Sequence, residues 1–409
     1  MTRPLISDEE TLDQAASWHE EALSLAAGGD LIAASELLDR ALAAFEEVSG
    51  AEHPDVANVL NARGVVAQRQ SDVRLARSCF RRAWRIVQRS RLAPRDDSRT
   101  SSDADCTNDV QETFDVDGAL GIPLAEREGY VDDDTIDRIG VQALSNLGHL
   151  EREAGNWIRA GRLLKRAVRL ARTWLGPDDL DTSNALNNLG MWCKFTGRFE
   201  LGRKCYRRAL TIIRRHCGPG KARRSPDVAS IYHNRGGLEH TAGNFAAGEP
   251  FARKSVRIRR RAVGTTHPDY AADLGGLAAI IADQGRADEA ESLYREALTI
   301  FERVLGDDHY EIAVLLHNLA AVEVARERLD SAWDLYHRAA AMKERWLGVD
   351  HPDLALTLHN LAILALDLDR LADAAMYCHR ALAIFESNLV ETHPTLLACR
   401  ECRAEIESR

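Results

Sequence analysis

The feature that most constrains the fold is a 42-residue repeat. A histidine–proline pair recurs at His267-Pro268, His351-Pro352 and His393-Pro394, and His309 stands at the step between the first two. The frame continues towards the N-terminus after an insertion of four residues around 219–224 and a longer interruption. Its eight complete copies start at Thr11, His53, Asp137, Asp179, Ser225, His267, His309 and His351, and His393 opens a partial ninth. Such a period is typical of a stacked repeat protein.

Small residues test this frame independently. The positions 11, 23 and 30 residues after each start carry Ala, Gly or Ser in all eight frames, as at Ala278, Ala290 and Ala297. A small side chain lets two helices cross at the short end of the range of about 8–10 Å. Apolar residues at helical intervals lie between these positions, which indicates amphipathic helices. Each frame therefore predicts two closely packed helices of about 17 residues each.

The frame also predicts where the helices begin and end. Five frames have a glycine 18 residues after the start, where it supplies a left-handed cap to the first helix. Proline after the histidine is preset for a first helical turn. The histidines recur once per repeat and cannot converge on one ion, so we interpret them as helix-start residues and not as metal ligands. The five glycines are Gly29, Gly155, Gly197, Gly243 and Gly285.

This pattern resembles a known repeat family. The small-residue triplet, with Trp18 and Leu361 on first helices and tyrosines on second ones, resembles the tetratricopeptide repeat. The stretches 347–353 and 359–362 resemble its kinesin-light-chain type. The resemblance implies an all-α, right-handed superhelical α-solenoid of about eight helix-turn-helix repeats that acts as a protein-binding scaffold. Only about ten residues precede the first repeat, with no heptad coiled coil, so a kinesin subunit is not expected. The tyrosines are Tyr206, Tyr294 and Tyr336.

The frame sets the expected domain boundaries. An acidic, Ser- and Thr-rich stretch interrupts the repeats and is expected to be a disordered insert, because it has little apolar surface to bury. Leu396 to Ile406 is expected to cap the last repeat. The predicted segments are an N-terminal tail (1–10), repeats 1–2 (11–94), the insert (95–136), repeats 3–8 (137–392) and the capping helix (393–409).

Charge is distributed unevenly over these segments. Residues 95–136 have 13 acids and 3 bases, hence −10, and residues 137–266 have 26 bases and 10 acids, hence +16. Residues 267–409 have 13 bases and 26 acids, hence −13. The basic middle attracts acidic partners. Many of its cations fall on second helices, which line the outside of such a solenoid, so an ordinary solvated face is the alternative.

The sequence favours binding over catalysis. It has no P-loop, no nucleophile elbow and no zinc-protease motif. We expect no enzymatic activity, cofactor, metal or small-molecule substrate. No stretch has the roughly 18 apolar residues of a membrane span and no signal peptide is evident, so a cytoplasmic location without membrane contact is expected. Cys399 and Cys402 form the only C-x-x-C pair and are interpreted as ordinary packing residues.

The tetratricopeptide resemblance implies that first helices line a concave groove, where asparagine amides hold the backbone of an extended peptide. The alternative is that these amides bond neighbouring helices and fix the stacking. Basic and polar side chains nearby would pair with a carboxylate. Their counterparts in the later repeats, Ala282, Val324 and Leu366, predict a more apolar groove. The predicted peptide-binding residues are Asn146, Asn188, Asn234, Asn318 and Asn360, with His149, Arg152, Asn187, Lys194, His233 and His240.

The predicted ligand is a protein or peptide segment with acidic and aromatic side chains. The insert has this character itself, at 112–117 and 130–134. It is either an internal pseudo-ligand that a true partner displaces or only a linker. The rival class is a nucleic-acid-binding or RNA-associated protein that uses the basic middle. Stacking tryptophans would support it, but we expect Trp157, Trp174 and Trp192 to pack in the core. The oligomeric state stays open.

Overall fold

The computed structural model describes residues 7–92, 132–389, 391 and 393–409. These residues form 17 α-helices and one short 3-10 helix, and they contain no β-strand. The all-α repeat fold is therefore confirmed. The chain divides into two compact units, the first ending at Ala222 and the second beginning at Arg223. No helix within the described ranges is both long enough and apolar enough to cross a membrane.

The first unit consists of four helix pairs. Its last helix contains Gly218, which departs from helical geometry with φ 68°, and a 3-10 turn at Ala222–Arg224 follows. The helices are α1 (Asp8–Ala27), α2 (Leu31–Val48), α3 (Pro54–Arg69), α4 (Val73–Leu92), α5 (Asp133–Glu153), α6 (Trp157–Trp174), α7 (Leu180–Phe195) and α8 (Phe199–Lys221).

The second unit consists of four helix pairs and one further helix, α17, which packs on α16 and α15. Helix α17 lies within the segment 393–409 that was predicted as a capping helix. The helices are α9 (Pro226–Thr241), α10 (Phe245–Val263), α11 (Pro268–Ala282), α12 (Ala287–Leu305), α13 (Tyr310–Ala325), α14 (Leu329–Leu347), α15 (Pro352–Asp367), α16 (Leu371–Asn388) and α17 (Pro394–Ser408).

Neighbouring repeats within each unit also contact each other through their first helices. In the first unit α3 contacts α1 and α5, and α5 contacts α7; in the second, α11 contacts α9 and α13. Within each unit, a second helix packs against its own first helix and against the first helix that follows it in that unit. The first helices therefore follow one another as a continuous layer within each unit.

The small residues of the frame lie where helices cross. All 24 predicted positions are buried. The approach is closest at the glycines, because a β-carbon on Gly64 would stand 2.5 Å from the ring of Phe80, and one on Gly148 would stand 2.7 Å from Leu164. The frame therefore identified the helix crossings correctly.

The predicted caps are also present. The glycines 18 residues after each start have positive φ, as at Gly285 with φ 77°. Three other repeats place Ser71, Glu327 and Asp369 in the same left-handed conformation. The frame histidines act as N-caps, since Nδ1 of His351 accepts a hydrogen bond from the backbone N–H of Asp353 over 3.1 Å. The interpretation as helix-start residues is confirmed.

Two helices begin earlier than the predicted segments allow. Helix α1 begins at Asp8, inside the predicted tail 1–10, because Ser7 and Glu10 form a capping box. Helix α5 begins at Asp133, inside the predicted insert 95–136, because the side chain of Asp132 accepts from the N–H of Thr135. The rest of the predicted insert, up to residue 131, lies outside the described residues.

Candidate functional site

The predicted asparagines differ in burial. Asn146 is 3% exposed, and its amide donates to Oδ1 of Asn61 over 3.0 Å, which links α5 to α3. Asn187 is buried in α7 as well. The amide of Asn146 therefore fixes the stacking of two repeats, which is the alternative that the sequence left open for these residues.

The other asparagines are half-buried on the first helices. No residue that the structure describes forms a hydrogen bond with the side-chain amide of Asn188 in α7 or of Asn318 in α13. Asn360 of α15 donates to the hydroxyl of Tyr336 over 3.3 Å, and Asn234 lies on α9. The free amides of Asn188 and Asn318 retain two donors and an acceptor for a peptide backbone.

Three predicted side chains form a basic cluster in the first unit: His149 and Arg152 of α5 and Lys194 of α7. Nη2 of Arg152 lies 2.8 Å from Nε2 of His149, and Nδ1 of that histidine lies 2.9 Å from Nε2 of Gln68 in α3. Burial, followed by the charge of Arg152, lowers the pKa of His149 to about 3. The imidazole is thus neutral at pH 7, and the charge of the cluster comes from Arg152 and Lys194.

These two cations lack full compensation. Burial, and then the charge of Arg152, lowers the pKa of Lys194, and burial lowers the pKa of Arg152 as well. Within the described ranges no acid forms an ion pair with Lys194, and Arg152 has Glu153 at 3.5 Å. Nε of Arg152 is buried without a hydrogen-bond partner there. A carboxylate placed between the two cations would relieve both their repulsion and their desolvation.

An exposed aromatic pair borders the basic cluster. Phe195 ends α7 and is 50% exposed; its ring centroid lies 5.3 Å from the guanidinium of Arg152 and 5.2 Å from Nζ of Lys194. It stacks on Trp157, 5.9 Å between centroids. Core packing was predicted for Trp157, but this residue is 40% exposed at the start of α6. The position of Trp157 directly after a turn was the sequence feature that could have indicated this exposure.

The other two tryptophans do pack inside the first unit. Trp192 is buried, and its Nε1 donates to the backbone oxygen of Trp157 over 2.9 Å. Trp174 stacks on Trp84, with 6.2 Å between the ring centroids. Neither ring is therefore presented as a stacking platform for a base.

The predicted histidines of the second unit have acidic partners. Nδ1 of His233 lies 2.9 Å from the buried carboxylate of Asp273, and Nε2 of His240 lies 2.7 Å from Asp283. His240 shares its frame position with Arg152 and Lys194 but is already paired. The partner acids come from the next repeat, so a pairing of this kind could not be predicted from a single frame.

The second unit exposes an apolar face instead. Leu356 and Ile363 of α15 are 37% and 43% exposed and flank Asn360 at helical spacing. The prediction that Leu366 lines an apolar groove is wrong, because its side chain is only 5% exposed and packs in the core. The sequence feature that indicates Leu356 and Ile363 instead is their position four residues before and three residues after Asn360. We call Leu356 and Ile363 the apolar face.

Most cations of the second helices point to solvent, as predicted. Arg162 and Arg169 of α6 are exposed, and so are Arg257 and Arg260 of α10. Arg259 is different: it is 4% exposed and bound to Asp269, Asp273 and Ser230. In the part of the chain that the structure describes, no three His, Cys, Asp or Glu side chains are arranged to hold a metal ion.

Tandem helix pairs with a continuous layer of first helices in each unit define a helical-repeat protein. Comparison with family models identifies the repeat. Models described as tetratricopeptide repeat match residues 13–89, 141–215, 272–345, 311–387 and 228–269. These segments cover more than half of the chain, so the protein belongs to the tetratricopeptide-repeat family, whose members mediate protein–protein interactions.

Individual relatives agree with the kinesin-light-chain-like type. The chain is 23% identical over 248 residues to the protein kinesin light chain-related 3 of Arabidopsis thaliana, covering 60% of this chain and 37% of that protein. It thus spans little more than a third of that relative's length.

Two solved structures are similar to parts of this chain, and the second of them, with a TM-score above 0.5, shares the fold. BtubC (BKLC) from P. vanneervenii matches 60% of this chain and 94% of its own at 21% identity, with a TM-score of 0.44. A signal transduction ATPase with numerous domains and a tetratricopeptide repeat sensor, from Pyrococcus horikoshii, matches 92% of this chain and 49% of its own at 13% identity and a TM-score of 0.56.

Proposed function

We propose that this protein is a non-enzymatic cytoplasmic scaffold whose first helices hold an extended peptide segment with acidic and aromatic or aliphatic side chains. The pair formed by Arg152 and Lys194 carries this proposal. Two desolvated cations that neighbour each other raise the free energy of the unbound protein, and an incoming carboxylate lowers it. Their half-buried setting also protects such an ion pair from screening by salt.

The surroundings of the cluster suit an extended chain. Asn188, six residues before Lys194 on α7, offers a free amide to a peptide backbone. The exposed rings of Phe195 and Trp157 offer a surface for an apolar or aromatic side chain of the ligand. A peptide that alternates acidic and aromatic residues would satisfy the cations and the rings together.

The apolar face of the second unit is proposed as a separate contact. Leu356 and Ile363 expose aliphatic surface on either side of Asn360, as in sites where a polar group orients an apolar ligand. A partner segment with aliphatic or aromatic side chains would use this face.

The acidic insert is proposed as a regulator of the same surface. Its sequence at 112–117 combines a phenylalanine and a valine with carboxylates, the composition that the basic cluster favours. A labelled peptide copying residues 108–121 should therefore bind more tightly to a protein in which residues 100–128 are replaced by a neutral Gly/Ser linker. This replacement keeps Asp132, the cap of α5. Equal affinity with and without the insert would show that the insert is only a linker.

The test of the binding surface uses the insert-replaced protein and the same labelled peptide, followed by fluorescence anisotropy at low salt. Arg152→Gln and Lys194→Gln should each weaken binding about 10- to 150-fold, because each removes a charge-assisted hydrogen bond of about 1.5–3 kcal/mol. The control is Arg162→Gln, which likewise removes one positive charge, but from the exposed side of α6. An equal loss of affinity in the control would show that the effect comes from net charge alone. Tighter binding of random RNA than of the peptide would favour the rival class.

A further inference from the structure

Three of the cysteines meet in the second unit. Cys378 lies on α16, and Cys399 and Cys402 lie on α17; all three are buried. The two residues of the C-x-x-C pair were interpreted as separate packing residues. The structure instead brings both of them to a third thiol from the neighbouring helix.

Cys378 and Cys399 are in direct contact. Sγ of Cys378 lies 3.5 Å from the backbone oxygen of Cys399, and Sγ of Cys399 lies 3.9 Å from the backbone oxygen of Cys378. The thiols of Cys399 and Cys402 both neighbour that of Cys378 closely enough to shift its pKa. Cys378 is therefore the central sulfur and neighbours both others.

The hydrogen bonds give the three thiols different acidities. The bond from Cys378 lowers the pKa of Cys399, although burial opposes it; the charge of Arg403 also lowers this pKa and that of Glu386 raises it. The bond to Cys399 raises the pKa of Cys378 to about 11, and the bond to Cys378 raises the pKa of Cys402. Since the thiolate is the reactive form, Cys399 is the first of the three to be oxidised.

We propose that Cys378 and Cys399 are a reversible disulfide site that fastens α17 to α16 under peroxide. The thiolate of Cys399 attacks hydrogen peroxide, breaks its O–O bond and becomes a sulfenic acid, with release of hydroxide that takes a proton to form water. The sulfur of Cys378 then displaces the sulfenic oxygen and loses its proton, which yields the disulfide and a second water. One peroxide is reduced and two thiols are oxidised.

The third thiol extends this chemistry. Cys402 neighbours Cys378, so its sulfur can attack that sulfur of the disulfide while its proton passes to the departing sulfur of Cys399, which becomes a thiol again. The linkage would then move along α17 and still join the same two helices. Local opening of α17, which packs only on α15 and α16 among the described elements, admits the peroxide to the buried sulfurs.

Another pair of cysteines provides a matched comparison inside the same chain. Cys193 and Cys205 are both buried and interact electrostatically, and burial raises their pKa values to about 11 and about 12. No hydrogen bond joins their thiols among the described contacts, and neither thiol is activated as Cys399 is. This pair therefore serves as an internal control for general oxidation of buried thiols.

The experiment treats the full chain, carrying Cys106→Ser, with hydrogen peroxide, blocks the remaining thiols and digests without reduction. Trypsin separates the cysteines, because they fall in 371–380, 381–400, 401–403, 173–194 and 205–207. The expected product joins 371–380 to 381–400 or to 401–403, reverses with dithiothreitol and raises Tm by about 2–4 °C. Cys378→Ala should abolish both products, whereas Cys402→Ala should retain the first.

Two results would overturn the proposal. One is that neither product forms while sulfinic acid accumulates on Cys399. The other is that 173–194 and 205–207 become joined at the same peroxide concentration and rate, because the reaction would then reflect general thiol oxidation. Disulfide mapping in the protein without an alanine substitution tests for both results, even if an alanine variant fails to fold.

Discussion

The ring of Tyr206 lies against the backbone of Gly190, so close that a β-carbon on the glycine would stand 2.6 Å from ring carbons Cε1 and Cζ. Tyr206 is fully buried in α8, and Gly190 lies in the middle of α7. This contact explains why the frame requires a small residue eleven positions after its start. It also sets the distance between the two helices of the repeat.

Gly190→Ala should destabilise the protein by about 1–3 kcal/mol, because the ring has to shift in a packed core. Gly220→Ala is the control, since a β-carbon at Gly220 meets nothing within 4 Å, and it should be neutral. Urea unfolding followed by circular dichroism measures both. Equal stability of the two variants would refute the close approach.

Placing glycine where a larger residue has a left-handed backbone conformation should instead stabilise the protein. Glu327 and Asp369 have φ 59° and 55° at a position where other repeats have glycine. Glu327→Gly and Asp369→Gly should each raise the free energy of unfolding by a few tenths to about 1 kcal/mol, because strain of about 1–2 kcal/mol exceeds the entropy that glycine adds to the unfolded chain. Gly285→Ala, at the same frame position, should lower it. Thermal melts that rank these variants otherwise would contradict the argument.

The helix pairs, the crossings and the caps could be predicted from sequence because each depends on residues within one 42-residue frame. The starts of α1 and α5 were missed because caps at Ser7 and Asp132 lie outside the repeating pattern. Pairings between repeats were missed for a different reason. They depend on which side chains meet across an interface, as with His240 and Asp283.

The candidate site could likewise be predicted from sequence only in part. Arg152 and Lys194 were predicted from their shared frame position, and the structure places them as neighbouring cations. The burial of Asn146 and the exposure of Ile363 could not be predicted from that position alone. Both depend on how far the next repeat covers the first helix.

A buried carboxylate should be more important to stability than any exposed one. Glu151 is fully buried and bound by Arg77 at 2.9 Å, Arg159 at 3.3 Å and Asn156 at 2.7 Å. Glu151→Ala should cost about 3–5 kcal/mol, because the partners lose their counter-charge in a desolvated place. The control Glu200→Ala removes an exposed partner of Arg203 and should cost under about 1 kcal/mol. Chemical denaturation compares them, and similar losses would refute the assignment.

Acid should destabilise the second unit through His317. Burial, followed by the charge of Lys343 and opposed by that of Asp353, lowers the pKa of His317 to about 4. The unfolded chain binds a proton near pH 6.5 and the folded one near pH 4, so this contribution to stability is complete above pH 6.5 and is lost as the pH falls to 4.

The loss should amount to about 3 kcal/mol in the native protein and vanish in His317→Gln. Urea titrations at pH 7.5 and pH 4.5 compare the two proteins. A native protein that loses no more stability than the variant would show that the imidazole is protonated in the folded state.

The interruption between α4 and α5 affects the order in which the first unit can assemble. Arg138 meets Asp179 across 41 residues of chain, but Asn61 meets Asn146 across 85. Doubling the loop adds about 0.6 kcal/mol to the entropy of closure, and contacts distant in sequence form more slowly. The pairs before and after the interruption are therefore expected to form as separate nuclei. Their junction, where Gln68 reaches His149, would be the last to close and the first to open.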